Sequence, residues 1–273
     1  MAMRNRWNEE LASLSQYAKA YEEYKSRGVD RTLNPADPEW RGTELWRTQH
    51  YFDVGEDALR IVITALASAR RPFPKRILDF PSGSGRVTRH LRAFFPTAEL
   101  WVCDIDDDPL RFCAAQFDAK TVLSRADLTE VTFDVDFDLV FCGSLLTHLP
   151  SFQAEATLSL AKHALSANGI GIVTLHGRHS SYIQRNKWKY LDDSLFAMAE
   201  GQAAKTGFGF VEYPHHMRSP TTRSKPYGLS LSKPSWVLAQ LEKDPTIRIL
   251  GYREKDWVDH QDVVIIGRPG IDE

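Results

Sequence analysis

Apolar positions from about residue 75 onward alternate between short continuous runs and stretches with helical spacing. The runs KRILDF, AELWVCDI, KTVLS, FDLVFCG and IGIVTLHG have the lengths and flanking turn residues of buried strands. The stretch after the first run ends at Pro96 and places its apolar residues on one helix face: Val87, Leu91, Phe94 and Phe95. Strands that alternate with helices predict a mostly parallel sheet with helices on both faces.

Local signals predict where two of the helices begin and end. In DDDPLRFCAAQF, Asp108 is expected to cap the helix and Pro109 to take its first position. The helix SFQAEATLSLAKHALSANG is expected to begin at Ser151 and to end at Asn168 and Gly169. The last two strands, TIRILGYRE and DVVIIGRP, are joined by only about ten residues. That connection is too short for a helical crossover, so these strands are expected to be antiparallel neighbours.

Two segments depart from this alternation. Residues 1–55 begin with a helix that stops at Gly28 and continue as an aromatic stretch without periodicity. We predict a helical strap or lid over 1–55 and an α/β domain over 56–273. A cap-like insertion at about 177–234 precedes the last two strands, and loops this long at a ligand-binding edge are usually functional. Its aromatic and basic side chains suit sugars, phenols or anionic substrates, or they form a cap that packs by its aromatics.

Composition narrows the class of protein. With 273 residues, 42% of them apolar, the chain can bury one large α/β core. The net charge of −2 argues against a dedicated nucleic-acid binder, and no apolar run approaches the length of a membrane span. The three cysteines are too few for a disulfide framework or a zinc site. The N-terminal residues contain no apolar segment of a secretory signal, so a cytoplasmic location is expected.

The stretch RILDFPSGSGRV (76–87) is a strand followed by a glycine-rich turn. A dinucleotide-binding loop needs G-x-G-x-x-G, and the third glycine position is occupied by Thr88. A P-loop needs Gly-Lys-Ser/Thr, which Arg86–Val87 excludes. An acid at the strand end, Asp79, followed by Gly83–Ser84–Gly85, remains. This arrangement predicts a loop that holds a ligand without placing a phosphate on it.

At these residues the chain resembles the class I S-adenosylmethionine-dependent methyltransferases. LDFPSGSGRV stands where that family has an Asp-x-Gly-x-Gly-x-Gly loop, with Pro81 in place of the first glycine. Asp104 in WVCDID matches the acid that binds both ribose hydroxyls, and a carboxylate can accept two adjacent hydrogen bonds. Asp127 and Leu128 match an acid–hydrophobe pair that meets the adenine, and FDLVFCGSLLTHLP resembles the segment after the fourth strand.

The resemblance implies a Rossmann-like three-layer sandwich. Its sheet has seven mostly parallel strands, the last one antiparallel, with the insertion before strand six. It also implies S-adenosyl-L-methionine as cofactor. The cofactor-binding residues implied are Asp79, Phe80, Gly83, Ser84, Gly85, Asp104, Ile105, Asp127, Leu128, Cys142, Gly143 and Ser144. Metal-dependent relatives carry acids where this chain has Cys142–Gly143–Ser144, so no catalytic metal is expected, and Asp106–Asp108 are interpreted as a solvated helix start.

Methyl transfer to oxygen generally needs a base, and histidine suits this role near neutral pH. His176 follows the strand IGIVTLHG, His260 lies in the turn between the last two strands, and His148 follows the fourth strand. Ligands of open α/β sheets bind beyond the carboxyl ends of the strands, so these three are the candidate catalytic residues. We expect methyl transfer to a small molecule or glycan. The alternatives are a protein or nucleic-acid acceptor, and a non-catalytic protein that binds S-adenosylmethionine or S-adenosylhomocysteine.

Overall fold

The computed structural model describes residues 2–40, 45–218, 221–222 and 225–268. The sequence-predicted ranges 1–55, 56–273 and 177–234 therefore include a few positions outside the described residues. The helices are α1 (Ala2–Arg27), α2 (Leu45–Ser68), α3 (Thr88–Phe94), α4 (Asp107–Phe117), α5 (Ser151–His163), α6 (Arg178–Asn186), α7 (Asp193–Thr206) and α8 (Pro234–Glu242). The strands are β1 (Arg76–Asp79), β2 (Glu99–Asp104), β3 (Lys120–Leu123), β4 (Phe137–Cys142), β5 (Leu165–Leu175), β6 (Phe208–Glu212), β7 (Gly228–Ser232), β8 (Arg248–Trp257) and β9 (Gln261–Gly267).

Seven of these strands form one sheet in the order β3-β2-β1-β4-β5-β9-β8. β1 pairs with β2 and β2 with β3 in parallel, whereas β9 runs antiparallel to both β5 and β8. The predicted fold class is confirmed: the sheet is mostly parallel and its last strand is antiparallel. The last two strands are neighbours, as expected from their short connection.

By its internal contacts the chain divides into two compact units. The first consists of Met1–Leu123 and Phe137–Leu139, and the second of Ser124–Asp136 and Val140–Glu273. In the first unit, α1 is anchored by Tyr17, whose buried hydroxyl donates to the carbonyl oxygen of Arg71 at 3.0 Å. Helix α1 ends where expected, because Gly28 adopts φ +72° and donates its N–H to Tyr24 O. None of the described helices is long and apolar enough to cross a membrane.

Helix α2 corrects the expected irregular conformation of the aromatic stretch. Residues 45–55 are helical, and α2 runs without a break through position 55, where the sequence interpretation placed a boundary. Gly55 has a packing role in this helix, since a Cβ there would lie 2.2 Å from Arg86 O and 2.5 Å from the His90 ring. The division into 1–55 and 56–273 remains a prediction.

Two further helix ends differ from expectation. Helix α5 ends at His163, where Ala164 closes it by donating its N–H to Leu160 O, and residues 165–169 belong to β5. Asn168 and Gly169 are therefore strand residues. Ser151 is the first helical residue, and its predecessor Pro150 supplies no side-chain cap.

Helix α4 begins at Asp107, so Asp108 does not cap it. The preceding residue, Asp106, occupies the cap position without a side-chain cap bond, and its N–H is held by the Asp104 carboxylate at 3.1 Å. Pro109 accordingly takes the third helical position rather than the first.

The insertion has a small hydrophobic core of its own. β6 and β7 form a separate antiparallel pair, and α7 packs its buried residues with theirs. The buried members of this core are Leu191, Phe196, Ala199, Ala203, Val211, Tyr213, Leu229 and Leu231.

His90 on α3 gives the first unit a pH-dependent contribution to stability. Its Nδ1 lies 2.8 Å from the Tyr24 hydroxyl. Burial, aided by the nearby Arg89 guanidinium, lowers the pKa of His90 from 6.5 to about 3. Its neutral form stabilises the fold fully above pH 6.5, and this contribution is lost as the pH falls toward 3.

We expect the stability difference between the wild type and His90→Gln to shrink below pH 6.5, by up to about 1.4 kcal/mol per pH unit. Urea unfolding of both proteins at several pH values between 7 and 4 measures it. Comparing the two proteins cancels the opposite contribution of Asp79, whose pKa burial raises to about 7. A difference that stays constant over this range would contradict the buried neutral imidazole.

Candidate active site

The glycine loop after β1 is shaped by two residues with positive φ. Gly83 has φ +49° and Gly85 φ +79°. A Cβ at Gly83 would meet no other atom within 4 Å, whereas one at Gly85 would lie 2.4 Å from the Phe117 ring. Gly85 therefore allows α4 to approach the loop closely, and the position of a Cβ at Gly83 lies in open space.

Two buried carboxylates stand at the ends of β1 and β2. Asp79 accepts a 2.6 Å hydrogen bond from the Thr88 hydroxyl at the start of α3, so it fixes the strand–loop–helix turn. Asp104 accepts from the N–H of Gly83 at 2.8 Å through one oxygen and from the N–H of Asp106 at 3.1 Å through the other. Burial raises the pKa of Asp104. The Ile105 N–H is a third backbone donor to this carboxylate, and the remaining acceptor capacity of its oxygens suits a ligand hydroxyl.

Arg89 holds the loop from the protein side. Its side chain is 1% exposed. The guanidinium donates to the carbonyl oxygens of Gly85 (3.0 Å), Asp30 (2.9 Å) and Thr32 (2.9 Å) and lies 5.3 Å from the Tyr51 ring centroid. One buried cation thus joins the N-terminal segment to the glycine loop. The sequence alone did not single out this residue, because a basic side chain in an amphipathic helix usually marks the solvent face.

Arg89→Met is expected to destabilise the protein by about 2–4 kcal/mol, because several buried carbonyl groups lose their charged donor. Urea unfolding at pH 7 measures the change. Arg111→Met is the control, since Arg111 is exposed and only bridges Asp107 and Asp108 on its own helix. Equal stabilities of the two variants would contradict the role of Arg89.

In the second unit, a hydrogen-bonded network fixes the segment after β4. The Ser144 N–H donates to the Thr174 hydroxyl (2.8 Å), which donates to the Gln261 side-chain oxygen (2.6 Å). The Gln261 amide donates in turn to the Ser144 hydroxyl at 2.8 Å. The network holds Ser144 at φ +57°. Cys142 is fully buried, and Gly143 leaves no room for a side chain, because a Cβ there would lie 2.7 Å from the Phe141 ring.

The predicted adenine pair occupies a short 3-10 turn, Leu128–Glu130. Asp127 is exposed and caps this turn through Thr129, accepting from its N–H at 3.0 Å and from its hydroxyl at 2.7 Å. Leu128 is buried, and its N–H donates to Gln153 at 3.2 Å. The structure thus gives this pair a local structural role.

The three candidate histidines come together in the second unit. The His176 and His260 ring centroids are 5.0 Å apart, and those of His148 and His176 are 6.2 Å apart. His176 lies directly after β5, and His260 in the turn before β9, as expected from the sequence. Because β9 runs antiparallel to β5, the end of one strand and the start of the other meet at one edge.

The hydrogen bonds of His176 define its tautomer. The ring donates to the backbone carbonyl of Ser230, while its Nδ1 is buried without a partner. The donor is therefore Nε2–H, which leaves a lone pair on Nδ1. Burial, with His260 and His148 close by, holds the pKa of His176 well below its usual range. The neutral imidazole keeps its Nδ1 lone pair free, and the same burial makes its protonation less favourable than that of an exposed histidine.

The other two histidines have different surroundings. His260 Nε2 is also buried without a partner, and burial lowers the pKa of His260 to about 4. His148 Nδ1 lies 3.0 Å from Gly228 O and 3.2 Å from the Tyr213 hydroxyl. The partners from β6, β7 and their connection could not be assigned from sequence, and the only signal for them was the aromatic content of the insertion.

Within the described residues, no group of three or more His, Cys, Asp or Glu side chains is arranged to hold a metal ion. Asp107 and Asp108 both pair with Arg111 on the first turns of α4. This placement at a helix start agrees with a solvated acidic turn.

Residues 77–169 match the family described as a methyltransferase domain. Among solved structures, the chain is similar to an S-adenosylmethionine-dependent methyltransferase from Clostridium acetobutylicum ATCC 824 (14% identity, covering 94% of this chain and 99% of that chain, TM-score 0.52). It is also similar to the glycopeptide N-methyltransferase MtfA (13% identity, 80% and 91% covered, TM-score 0.53). A third similar structure is an O-methyltransferase family protein from Burkholderia thailandensis (10% identity, 96% and 72% covered, TM-score 0.51). A comparison with curated proteins gave no match.

At these identities the structural likeness establishes the fold, and the domain match extends from β1 into β5. MtfA has also been solved in complex with S-adenosyl-L-methionine and with sinefungin. Residues 77–169 thus match a methyltransferase domain, and the seven-stranded sheet with antiparallel β9 is the fold that this chain shares with these solved methyltransferases.

Proposed function

We propose that this enzyme methylates a hydroxyl oxygen of a small molecule or glycan. The observation that carries the proposal is His176, a neutral imidazole whose Nε2–H is bound to Ser230 O and whose Nδ1 has no partner. A hydroxyl must lose its proton during methylation, whereas an amine need only be neutral. A positioned base therefore favours an oxygen acceptor.

For the cofactor, Asp104 is the proposed ribose ligand, because its buried carboxylate keeps acceptor capacity beside the Gly83 backbone. Asp79 is proposed to shape the loop and Asp127 and Leu128 to meet the adenine. When bound, S-adenosylmethionine supplies an activated methyl group. The remaining residues proposed to line its site are Phe80, Gly83, Ser84, Gly85, Ile105, Cys142, Gly143 and Ser144.

At the acceptor, His176 Nδ1 would take the hydroxyl proton as the hydroxyl oxygen bonds to the methyl carbon. The bond between that carbon and the sulfonium sulfur would break, its electron pair would stay on sulfur, and the positive charge would end on His176. His260 lies close enough to His176 to exclude water from this proton transfer, and Trp188 and Tyr190 pack near the His260 ring at 5.8 and 6.1 Å. His148 is proposed to orient the pair through its bond to Gly228 O.

Three other features concern the class of acceptor, the location of the protein and the acceptor atom. The net charge of −2 does not favour a nucleic-acid acceptor. All three cysteines are buried and form no disulfide, which supports a reducing, cytoplasmic location. The similar structures include both an N- and an O-methyltransferase by name, so the acceptor atom must be tested directly.

The test is calorimetric titration with S-adenosylmethionine and S-adenosylhomocysteine, followed by a methyl-transfer screen over hydroxylated metabolites and sugars. Each hydroxyl compound is paired with an analogue that carries an amine at the same position. We expect both cofactor forms to bind and the hydroxyl member to be methylated. Transfer only to the amine members would overturn the oxygen assignment, and binding without any transfer would favour a non-catalytic binding protein.

A further inference from the structure

A small pocket of about 180 Å³ lies within the second unit at the first turn of α6. Gly177 and Arg178 form one side of it, and Ser232 and Lys233, at the end of β7, form another. Alanine and leucine side chains make up part of its wall, so the polar groups converge on a limited region. This volume admits a single phosphate- or carboxylate-sized group.

The first turn of α6 contributes partial positive charge to this region, beside the Asp262 carboxylate. The helix has nine residues, and its cap residue is Gly177, which offers no side chain to the first amides. The first bond of the helix is from Ser181 N–H to Gly177 O at 3.2 Å, and the amides before Ser181 have no partner within the helix. Such a helix start favours negative charge. Gly177 cannot be replaced there, since a Cβ would lie 1.8 Å from an oxygen of Asp262.

An unpartnered hydroxyl is the second, independent sign of a ligand. Ser232 is 4% exposed, and its Oγ is buried without a hydrogen-bond partner. Its backbone N–H is already used, because it donates to His176 O at 2.9 Å. A buried hydroxyl without a partner is unfavourable, and a ligand oxygen in the pocket would accept a hydrogen bond from it.

The charged side chains around the pocket are nearly balanced. Arg178 bonds to Glu254 at 2.9 Å, and Lys233 donates to Ala204 O at 3.0 Å. Glu200, which also lines the pocket, is paired with Arg185. Burial raises the pKa of Asp262, and its two oxygens accept from Tyr252 OH and Lys255 N–H. Among the described residues that line the pocket, Lys233 is therefore the cation without a carboxylate partner.

We propose that this pocket binds a small oxyanion, a carboxylate or phosphate-monoester group carried by the methyl acceptor. Position supports the assignment to the acceptor: Gly177 directly follows His176 in the chain, and Ser232 is bonded to the His176 backbone. An anionic group held there would tether the acceptor beside the base. This inference rests on the proposed function, and it narrows the acceptor to an anionic hydroxylated compound.

The first experiment measures anion binding to the full-length protein without cofactor. Inorganic phosphate and acetate are titrated by calorimetry or by thermal shift at constant ionic strength. We expect Lys233→Gln to weaken binding about five- to tenfold and Ser232→Ala to weaken it about threefold, while Glu200→Gln strengthens it. Lys187→Gln is the matched control, because it removes the same charge at the other end of α6, and it should leave binding unchanged.

Equal weakening by Lys233→Gln and Lys187→Gln, or no binding of either anion, would overturn the proposal that this pocket binds an anion.

The second experiment compares hydroxylated acceptors with and without a carboxylate or phosphate group. Lys233→Gln should raise KM for the anionic member alone and leave kcat within about twofold. Binding of free phosphate with no preference among acceptors would remove the link to the substrate. The His176→Ala variant separates this proposal from the proposed role of His176 as the base. Anion binding must persist in this variant even if turnover is lost.

Discussion

His176→Ala is expected to lower kcat by about 10²–10⁴-fold, because the variant loses the positioned base for the acceptor hydroxyl. Affinity for S-adenosylmethionine should stay within about twofold, since His176 is assigned to the acceptor. Steady-state kinetics on an acceptor found in the screen, with calorimetry for the cofactor, measures both. His163→Ala is the control, because that histidine is exposed and bonds only within α5.

The pH dependence of the wild type tests the same residue without mutation. Burial holds the pKa of His176 well below 6.5, so the base stays unprotonated in mildly acidic solution. We expect kcat/KM to remain level from pH 7.5 to about 6, where an exposed histidine base would already lose activity. Full activity of His176→Ala would show that the acceptor needs no histidine base and would make an amine the better assignment.

Asp104→Ala is expected to weaken S-adenosylmethionine binding by about 2–4 kcal/mol, or roughly 30- to 1000-fold, because two charge-assisted hydrogen bonds are lost. Calorimetric titration measures the affinity. Asp104 also holds the Gly83 N–H, so Asp104→Asn is needed beside it: the amide oxygen can keep one backbone bond while the charge is gone. Both variants should bind more weakly than Asp118→Asn, a control at an exposed left-handed position after α4. Unchanged affinity in a folded Asp104→Ala protein would remove the ribose assignment.

The strands of the main sheet and the antiparallel pairing of the last two were predictable, because buried runs and connection lengths are local properties of the chain. The helix at residues 45–55 was not predictable. Gly55 allows close packing on α3, but in the sequence alone a glycine indicates a helix breaker. Asn168 and Gly169 misled in the same way: they resemble a helix stop but lie in β5.

The candidate site also contains some parts that were predictable from the sequence and others that were not. The glycine loop, the acids after β1 and β2 and the convergence of His176 with His260 follow from motif order and from the antiparallel last strand. The partner that sets the His176 tautomer could not be predicted from these features. Ser230 belongs to β7, whose pairing with β6 forms inside the insertion, and no local pattern specifies that register. Arg89 was missed because its burial depends on carbonyl groups far away in the sequence.

The glycine loop is held by hydrogen bonds from the protein itself. The Ser82 N–H donates to Cys103 O, the Gly85 N–H donates to Ser82 O, and the Gly83 N–H donates to the Asp104 carboxylate. The Arg89 guanidinium donates to the Gly85 carbonyl oxygen. A ligand that arrives at this loop meets a preorganised surface and loses little chain entropy on binding. Binding to it should therefore resemble lock-and-key association, in which the dissociation rate rather than a slow ordering step distinguishes the methylated cofactor from its demethylated product.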